Sequence, residues 1–137
     1  LTQLGQAYYR MGKPAEGRKA FDEAIEESKR RKDGINLVSR VSQILRDLGA
    51  ISEARKRLEQ AYAEEKNEAA KRILAFTRSL SSIDLDDRLA WLEKCDQEDF
   101  EVKVSLLQAR ARKARQKGED EQAEKLLRES LELYKGR

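Results

Sequence analysis

Histidine is absent from this sequence, and cysteine, proline and tryptophan occur once each. Without histidine the chain lacks the commonest general base and the commonest side-chain ligand of transition metals. The single cysteine, Cys95, can form no disulfide within the chain, which is typical of a reducing compartment such as the cytoplasm. We therefore expect a cytoplasmic protein that is not an enzyme and that holds no metal and no cofactor.

Long apolar runs are also missing, because no stretch approaches the roughly 18 apolar residues that a membrane-spanning helix requires. A Gly-rich phosphate loop and a G-x-S-x-G motif are absent as well. Charge is nearly balanced, with 29 basic and 26 acidic residues and a net charge of +3. Bulk charge alone therefore does not indicate a nucleic-acid-binding protein.

What the chain does have is a helical composition. Charged residues make up 40% of its 137 residues and apolar residues 39%, while aromatic residues make up only 6%. Such a composition, rich in Ala, Glu, Lys, Leu and Arg, is typical of long amphipathic helices. The sequence therefore predicts an all-α fold.

Two amphipathic helices joined by a glycine turn occur three times. The turn glycines are Gly12, Gly49 and Gly118, which are 37 and 69 residues apart. The longer separation accommodates two units of about 34 residues. We expect each glycine to adopt the left-handed conformation that ends the first helix, and Pro14 to begin the second helix of the first copy.

The second helix of each copy alternates small and large residues. The small residues permit close approach of two helices, and the large ones are expected to fill the space beyond. The small sites are Gly17, Ala54 and Ala123, and the large ones are Phe21, Leu58 and Leu127.

A fourth unit should lie between the second and third glycines, with helices near Glu68–Leu80 and Leu85–Cys95. It has no turn glycine, and we expect a Ser or Asp within residues 81–84 to cap its second helix. Its geometry should therefore depart from that of the others. Trp91 and Cys95 lie one turn apart and are predicted to pack in the core.

The first copy resembles the tetratricopeptide repeat family in its pattern Leu1-x-x-Leu4-Gly5-x-x-Tyr8, followed by Gly12, Glu16, Phe21, Ala24 and Ile25. The resemblance implies an α-solenoid of stacked antiparallel helix pairs, with about four repeats and about eight helices. We place the repeats near residues 1–31, 35–65, 67–96 and 100–135 of a single solenoid, and expect it to be a piece of a longer protein.

The same resemblance implies that the first helix of each pair lines a concave groove. The inward positions then carry hydrogen-bonding residues interleaved with arginine: Gln6, Tyr9, Arg10, Asn36, Arg40, Gln43 and Arg46, with Gln108, Arg112 and Arg115 from the last repeat. Because arginine pairs bidentately with carboxylates, we expect the groove to bind an acidic segment of another protein. The alternative is that these arginines are solvated faces of charged helices.

The expected function is therefore a non-enzymatic interaction module or scaffold. One alternative is a structural array that self-associates, or the targeting arm of a larger enzymatic or regulatory protein. A minor alternative is nucleic-acid binding through the basic run at residues 110–117. That run lacks aromatic residues for base stacking, and the acidic residues that follow it can pair with it.

Overall fold

The computed structural model describes residues 1–31 and 34–136, with the backbone alone described for residues 34–36. Over this part of the chain the fold contains eight helices and no strand. The helices are α1 (Thr2–Arg10), α2 (Pro14–Arg30), α3 (Gly34–Asp47), α4 (Ile51–Glu64), α5 (Glu68–Ser79), α6 (Leu85–Leu92), α7 (Phe100–Gln116) and α8 (Asp120–Lys135). Neighbouring helices pack against each other, which confirms the predicted all-α, solenoid-like fold class.

The chain divides into two compact units, unit 1 (Leu1–Ala70) and unit 2 (Lys71–Arg137). In unit 1, α2 packs against α1, and α3 packs against α1, α2 and α4. The two hairpins of unit 1 therefore stack, so that each helps to bury the apolar face of the other. In unit 2, α7 packs against both α6 and α8.

Helices α1, α3 and α7 end in the same backbone motif. Gly12, Gly49 and Gly118 have φ angles of 75°, 87° and 78°, which glycine adopts without a Cβ clash. Each glycine N–H donates to the carbonyl three residues earlier at 3.0–3.1 Å. The following N–H donates to the carbonyl five residues earlier at 2.8–2.9 Å. These are Schellman turns, and they confirm the prediction from the glycine spacing.

The first hairpin is packed around two further glycines, and its second helix begins at Pro14 as predicted. A Cβ on Gly5 would lie 2.7 Å from the ring of Phe21, and one on Gly17 would overlap the ring of Tyr9. Since no side chain fits at these distances, the aromatic rings occupy the space that the two glycines leave open.

The turn between α5 and α6 is held by side chains instead. The Asp84 carboxylate accepts a hydrogen bond from the Asp87 N–H at 2.8 Å, and Asp87 in turn accepts one from the Ile83 N–H at 3.1 Å. Asp84 is thus the N-cap, which confirms the predicted cap. Arg78, which is 2% exposed, places Nη1 3.0 Å from Asp87 Oδ2 and its guanidinium 5.1 Å from the Trp91 ring centre.

One packing prediction is wrong. The sequence predicts that Leu127 fills the interior as Phe21 and Leu58 do, yet it is 39% exposed while both of those are fully buried. Relative to Phe21, the difference is that α3 as well as α1 packs against α2, whereas α7 is the described helix that packs against α8. The face of α8 that corresponds to the buried face of α2 consequently remains open.

Candidate partner-binding surface

Adjacent helices α1 and α3 carry seven of the ten predicted partner-binding residues. Gln6 and Gln43 occupy equivalent positions one repeat apart; Gln43 is exposed and Gln6 is partly exposed. Arg10 and Arg40 are exposed. Asn36 lies outside the residues whose side chains the structure describes. Unit 1 thus presents both amide and guanidinium groups from this pair of helices.

Three polar side chains near the end of α3 are linked by hydrogen bonds. Arg46 Nη2 donates to Gln43 Oε1, and Gln43 Nε2 donates to Asp47 Oδ1 at 3.1 Å. Asp47 is the one acidic residue in the sequences of α1 and α3, and its carboxylate is engaged by Gln43. The exposed charges on these two helices are therefore mostly positive.

Tyr9 is positioned differently from the prediction that it points into a groove. Its ring packs against Phe21, with centroids 5.7 Å apart, and its hydroxyl donates a hydrogen bond to the Glu53 carboxylate of α4. Burial, followed by the hydrogen bond to Glu53, raises the pKa of Tyr9 above its ordinary value. Tyr9 therefore joins the first hairpin to the second, and its role in partner binding stays a prediction.

Glu53 is the centre of an ion-pair network that the sequence did not reveal. Its carboxylate lies 3.3 Å from Arg18 Nε and 3.5 Å from Arg57 Nη2. Arg57 also pairs with Asp22 of α2 at 2.8 Å. Glu53 and Arg57 have the i,i+4 spacing of a helical ion pair, which can be recognised in the sequence. The contacts with α2 depend on the stacking of the hairpins.

The three remaining predicted residues, Gln108, Arg112 and Arg115, are exposed on α7 in unit 2. Arg112 occupies the position of Gln6 and Gln43 in its repeat, if the turn glycines are aligned. Arg115 instead lines a shallow depression between α7 and α8, beside Leu127 and Leu131. Arg112, three residues earlier on α7, is exposed but does not line this depression.

Charge differs between the first and second helices of the pairs. The first helices (α1, α3, α5 and α7) contain eleven basic and three acidic residues. The second helices (α2, α4, α6 and α8) contain eleven basic and fifteen acidic residues. Acidic side chains are thus concentrated on the second helices, which leaves the first helices with a positive balance.

The basic run on α7 makes a contact that the sequence does not predict. Lys113 pairs with Asp86 of α6, rather than with the acidic residues after Gly118. The hydrogen bond and charge of Lys113 hold the pKa of Asp86 below its ordinary value, and Asp86 raises the pKa of Lys113. This pair ties α6 to α7 within unit 2.

Cys95 is buried, as predicted, and its Sγ lies 3.4 Å from the Trp91 carbonyl oxygen. Burial raises the pKa of Cys95 to about 11, with a smaller contribution from the charge of Asp99. The reactive thiolate is therefore scarce near neutral pH, which does not suit a catalytic nucleophile. Among the residues that the structure describes, no cluster of three or more metal-binding side chains is found.

A comparison with protein families found a match for the first hairpin. Residues 1–31, which comprise α1, the Gly12 turn and α2, match the family model described as tetratricopeptide repeat. The first hairpin matches a tetratricopeptide repeat. Comparisons with curated proteins and with solved structures gave no match.

The match at residues 1–31 indicates the general kind of function of this hairpin. Repeats of this family are protein–protein interaction modules and in general are not enzymes, so the partner of this one is expected to be a protein. None of the described helices combines the length and the apolar character needed to cross a membrane.

Proposed function

We propose that the first helices of the repeat pairs bind an acidic segment of another protein. The observation that supports this proposal is the charge difference between the two sets of helices. Both sets carry eleven basic residues, but the first helices carry three acidic residues and the second helices carry fifteen. If the charges served only to keep the helices solvated, no such division between the two sets would be expected.

In unit 1 the proposed surface combines two kinds of groups. The exposed guanidinium groups of Arg10 and Arg40 can form paired hydrogen bonds with carboxylates. The amides of Gln6 and Gln43 can donate to and accept from the backbone of a bound segment. A surface with one predominant sign of charge also accelerates encounter with a partner of the opposite sign.

In unit 2 the proposed surface is Gln108 together with Arg112 on α7. Arg112 is exposed at the repeat position that Gln6 and Gln43 occupy in unit 1. The positive character of the first helices therefore continues at the equivalent position of the last repeat.

Selection from a random peptide library displayed on phage tests the proposal, because it requires no identified partner. We expect the sequences selected by the chain to be enriched in Asp and Glu. Affinity for the selected peptides should fall with rising salt concentration, because exposed ion pairs are screened. A variant with Arg10, Arg40 and Arg112 changed to Glu should bind them at least about tenfold more weakly.

The matched control changes Lys19, Lys56 and Lys125 to Glu. These lysines are exposed on the second helices, so the control carries the same change of net charge on the other set of helices. It should bind the selected peptides with an affinity close to that of the wild type. Selection of peptides without acidic enrichment, or equal losses in the two variants, would contradict the proposal.

A further inference from the structure

Equivalent positions of α2 and α8 differ sharply in exposure. With the turn glycines aligned, Phe21 and Ile25 of α2 correspond to Leu127 and Leu131 of α8. The α2 residues are 0% and 8% exposed in a helix against which α3 packs. Leu127 and Leu131 are 39% and 52% exposed. The open α8 face, defined as Leu127 and Leu131 with the exposed Tyr134, thus has the apolar character of a surface that receives a further helix.

Helix α1 has the apolar pattern of a helix that packs on such a face. In unit 1, α3 packs against α2 and buries apolar residues spaced i, i+3 and i+7, namely Val38, Val41 and Leu45. The equivalent residues of α1 are Leu1, Leu4 and Tyr8. Leu1 and Leu4 are 55% and 47% exposed, although α1 packs against α2 and α3. The α1 stripe, defined as Leu1 and Leu4, therefore corresponds to residues of α3 that are buried in unit 1.

The polar contact between the two hairpins of unit 1 has counterparts at equivalent positions of the first and last hairpins. In unit 1, Tyr9 of the first hairpin donates to Glu53 of the second. Arg115 stands at the Tyr9 position of the last hairpin, and Glu16 stands at the Glu53 position of the first. Arg115 is exposed and lines the depression beside the open α8 face, and Glu16 is exposed in the first turn of α2. The neutral donor of the Tyr9 position is thus a cation in the last hairpin, and the Glu53 position is also a carboxylate in the first hairpin.

We propose that the open α8 face of one copy of this chain binds the α1 stripe of a second copy, in the manner in which α2 receives α3. Arg115 of the first copy then pairs with Glu16 of the second. Glu124, which stands at the Arg18 position, is already paired with Arg128 at 2.7 Å, so its charge is compensated near Glu16. The contact is heterologous, and therefore each complex leaves one surface of each kind free for further copies.

Sedimentation velocity over micromolar to submillimolar concentrations tests this arrangement. The wild type should show a weight-average mass that rises with concentration and passes beyond the dimer. The variants Leu4→Glu and Leu131→Glu should each remain monomeric, because each loses one of the two surfaces. Their equimolar mixture should form a dimer that does not grow, because only one compatible pair of surfaces remains.

The charges provide an independent test that leaves the apolar residues intact. Arg115→Glu should weaken association about tenfold, because two carboxylates then face each other. Adding Glu16→Arg to the same chain should restore the association. Ile83→Glu is the matched control for the apolar substitutions, because Ile83 is 69% exposed and lies outside both surfaces. It should associate like the wild type.

The alternatives are distinguishable in the same experiment. A wild type that stays monomeric throughout overturns the proposal. Self-association of Leu4→Glu alone indicates pairing of two α8 faces, and self-association of Leu131→Glu alone indicates pairing of two α1 stripes; either result also overturns it. Circular dichroism of each variant verifies that its helices are formed. The residues tested for acidic-peptide binding are not involved, so the two proposals fail separately.

Discussion

The turns at Gly12, Gly49 and Gly118 and the turn between α5 and α6 are stabilised in different ways. The glycine turns rely on backbone conformation, with a positive φ angle and two main-chain hydrogen bonds. The α5–α6 turn relies on carboxylates that accept main-chain N–H groups and on a buried arginine that pairs with one of them. A turn between two helices can thus be stabilised either by backbone conformation or by a few side chains.

Among the substitutions that test this comparison, Arg78→Ala is expected to destabilise the protein most. The change leaves the partly buried carboxylate of Asp87 without its cation and removes the contact with Trp91. We expect unfolding to become easier by about 3–5 kcal/mol, as when one partner of a buried ion pair is removed. Urea denaturation followed by Trp91 fluorescence measures the loss. Arg72→Ala, at an exposed position of α5, is the control and should cost little.

A smaller effect is expected for Gly49→Ala. The alanine Cβ disfavours the φ angle of 87° at this position, which should cost about 1–2 kcal/mol. Gly49→Asn should cost less, since asparagine tolerates the left-handed region better. Gly136 has an ordinary φ of −74°, so Gly136→Ala serves as the control. Equal urea midpoints for the Gly49 and Gly136 variants would show that the turn does not depend on glycine.

The N-cap of α6 should contribute less to the free energy of unfolding than Gly49 does. Asp84→Ala removes the acceptor for the Asp87 N–H, and we expect a loss of about 1 kcal/mol in the free energy of unfolding. Asp84→Asn should retain most of this stability, because its amide oxygen can accept the same hydrogen bond. If both variants lost the same amount, the carboxylate charge near the helix N-terminus would be the important feature, rather than the acceptor.

The substitution of Cys95 should have the smallest effect on stability at neutral pH. Because its pKa is raised to about 11, the native thiol keeps its proton between pH 9 and 11 while the unfolded thiol loses it. The stability should therefore fall as pH rises through this window, and the difference from Cys95→Ser isolates the contribution of the thiol. Alkylation of the native protein at pH 8 should also be much slower than alkylation in urea, and equal rates would contradict the burial.

Much of the local structure was predictable from the sequence. The three glycines indicated three helix ends, Pro14 indicated the start of α2, and a Ser or Asp near residue 84 indicated a cap. Each of these signals acts over a few residues, because capping and φ preferences depend on neighbours in the chain. They are therefore readable before the tertiary structure is determined.

The orientation of Tyr9 was not predictable by periodicity alone. Tyr8 and Tyr9 are consecutive on α1 and lie about 100° apart around the helix axis, so the rotation of the helix decides which ring faces α2. The informative signal was the glycine at position 17, which leaves room for the Tyr9 ring. Its meaning becomes clear only when α1 and α2 are seen to pack against each other.

By itself, the sequence determined the helices, their turns and the family of the first hairpin, because those properties depend on local conformation and on spacing along the chain. The tertiary structure decided which apolar faces are covered, that Tyr9 and Arg57 connect stacked hairpins, and that Lys113 pairs with Asp86. These contacts join residues that lie 27 to 44 positions apart in the chain. Whether such residues meet depends on how the helices pack, which no local pattern specifies.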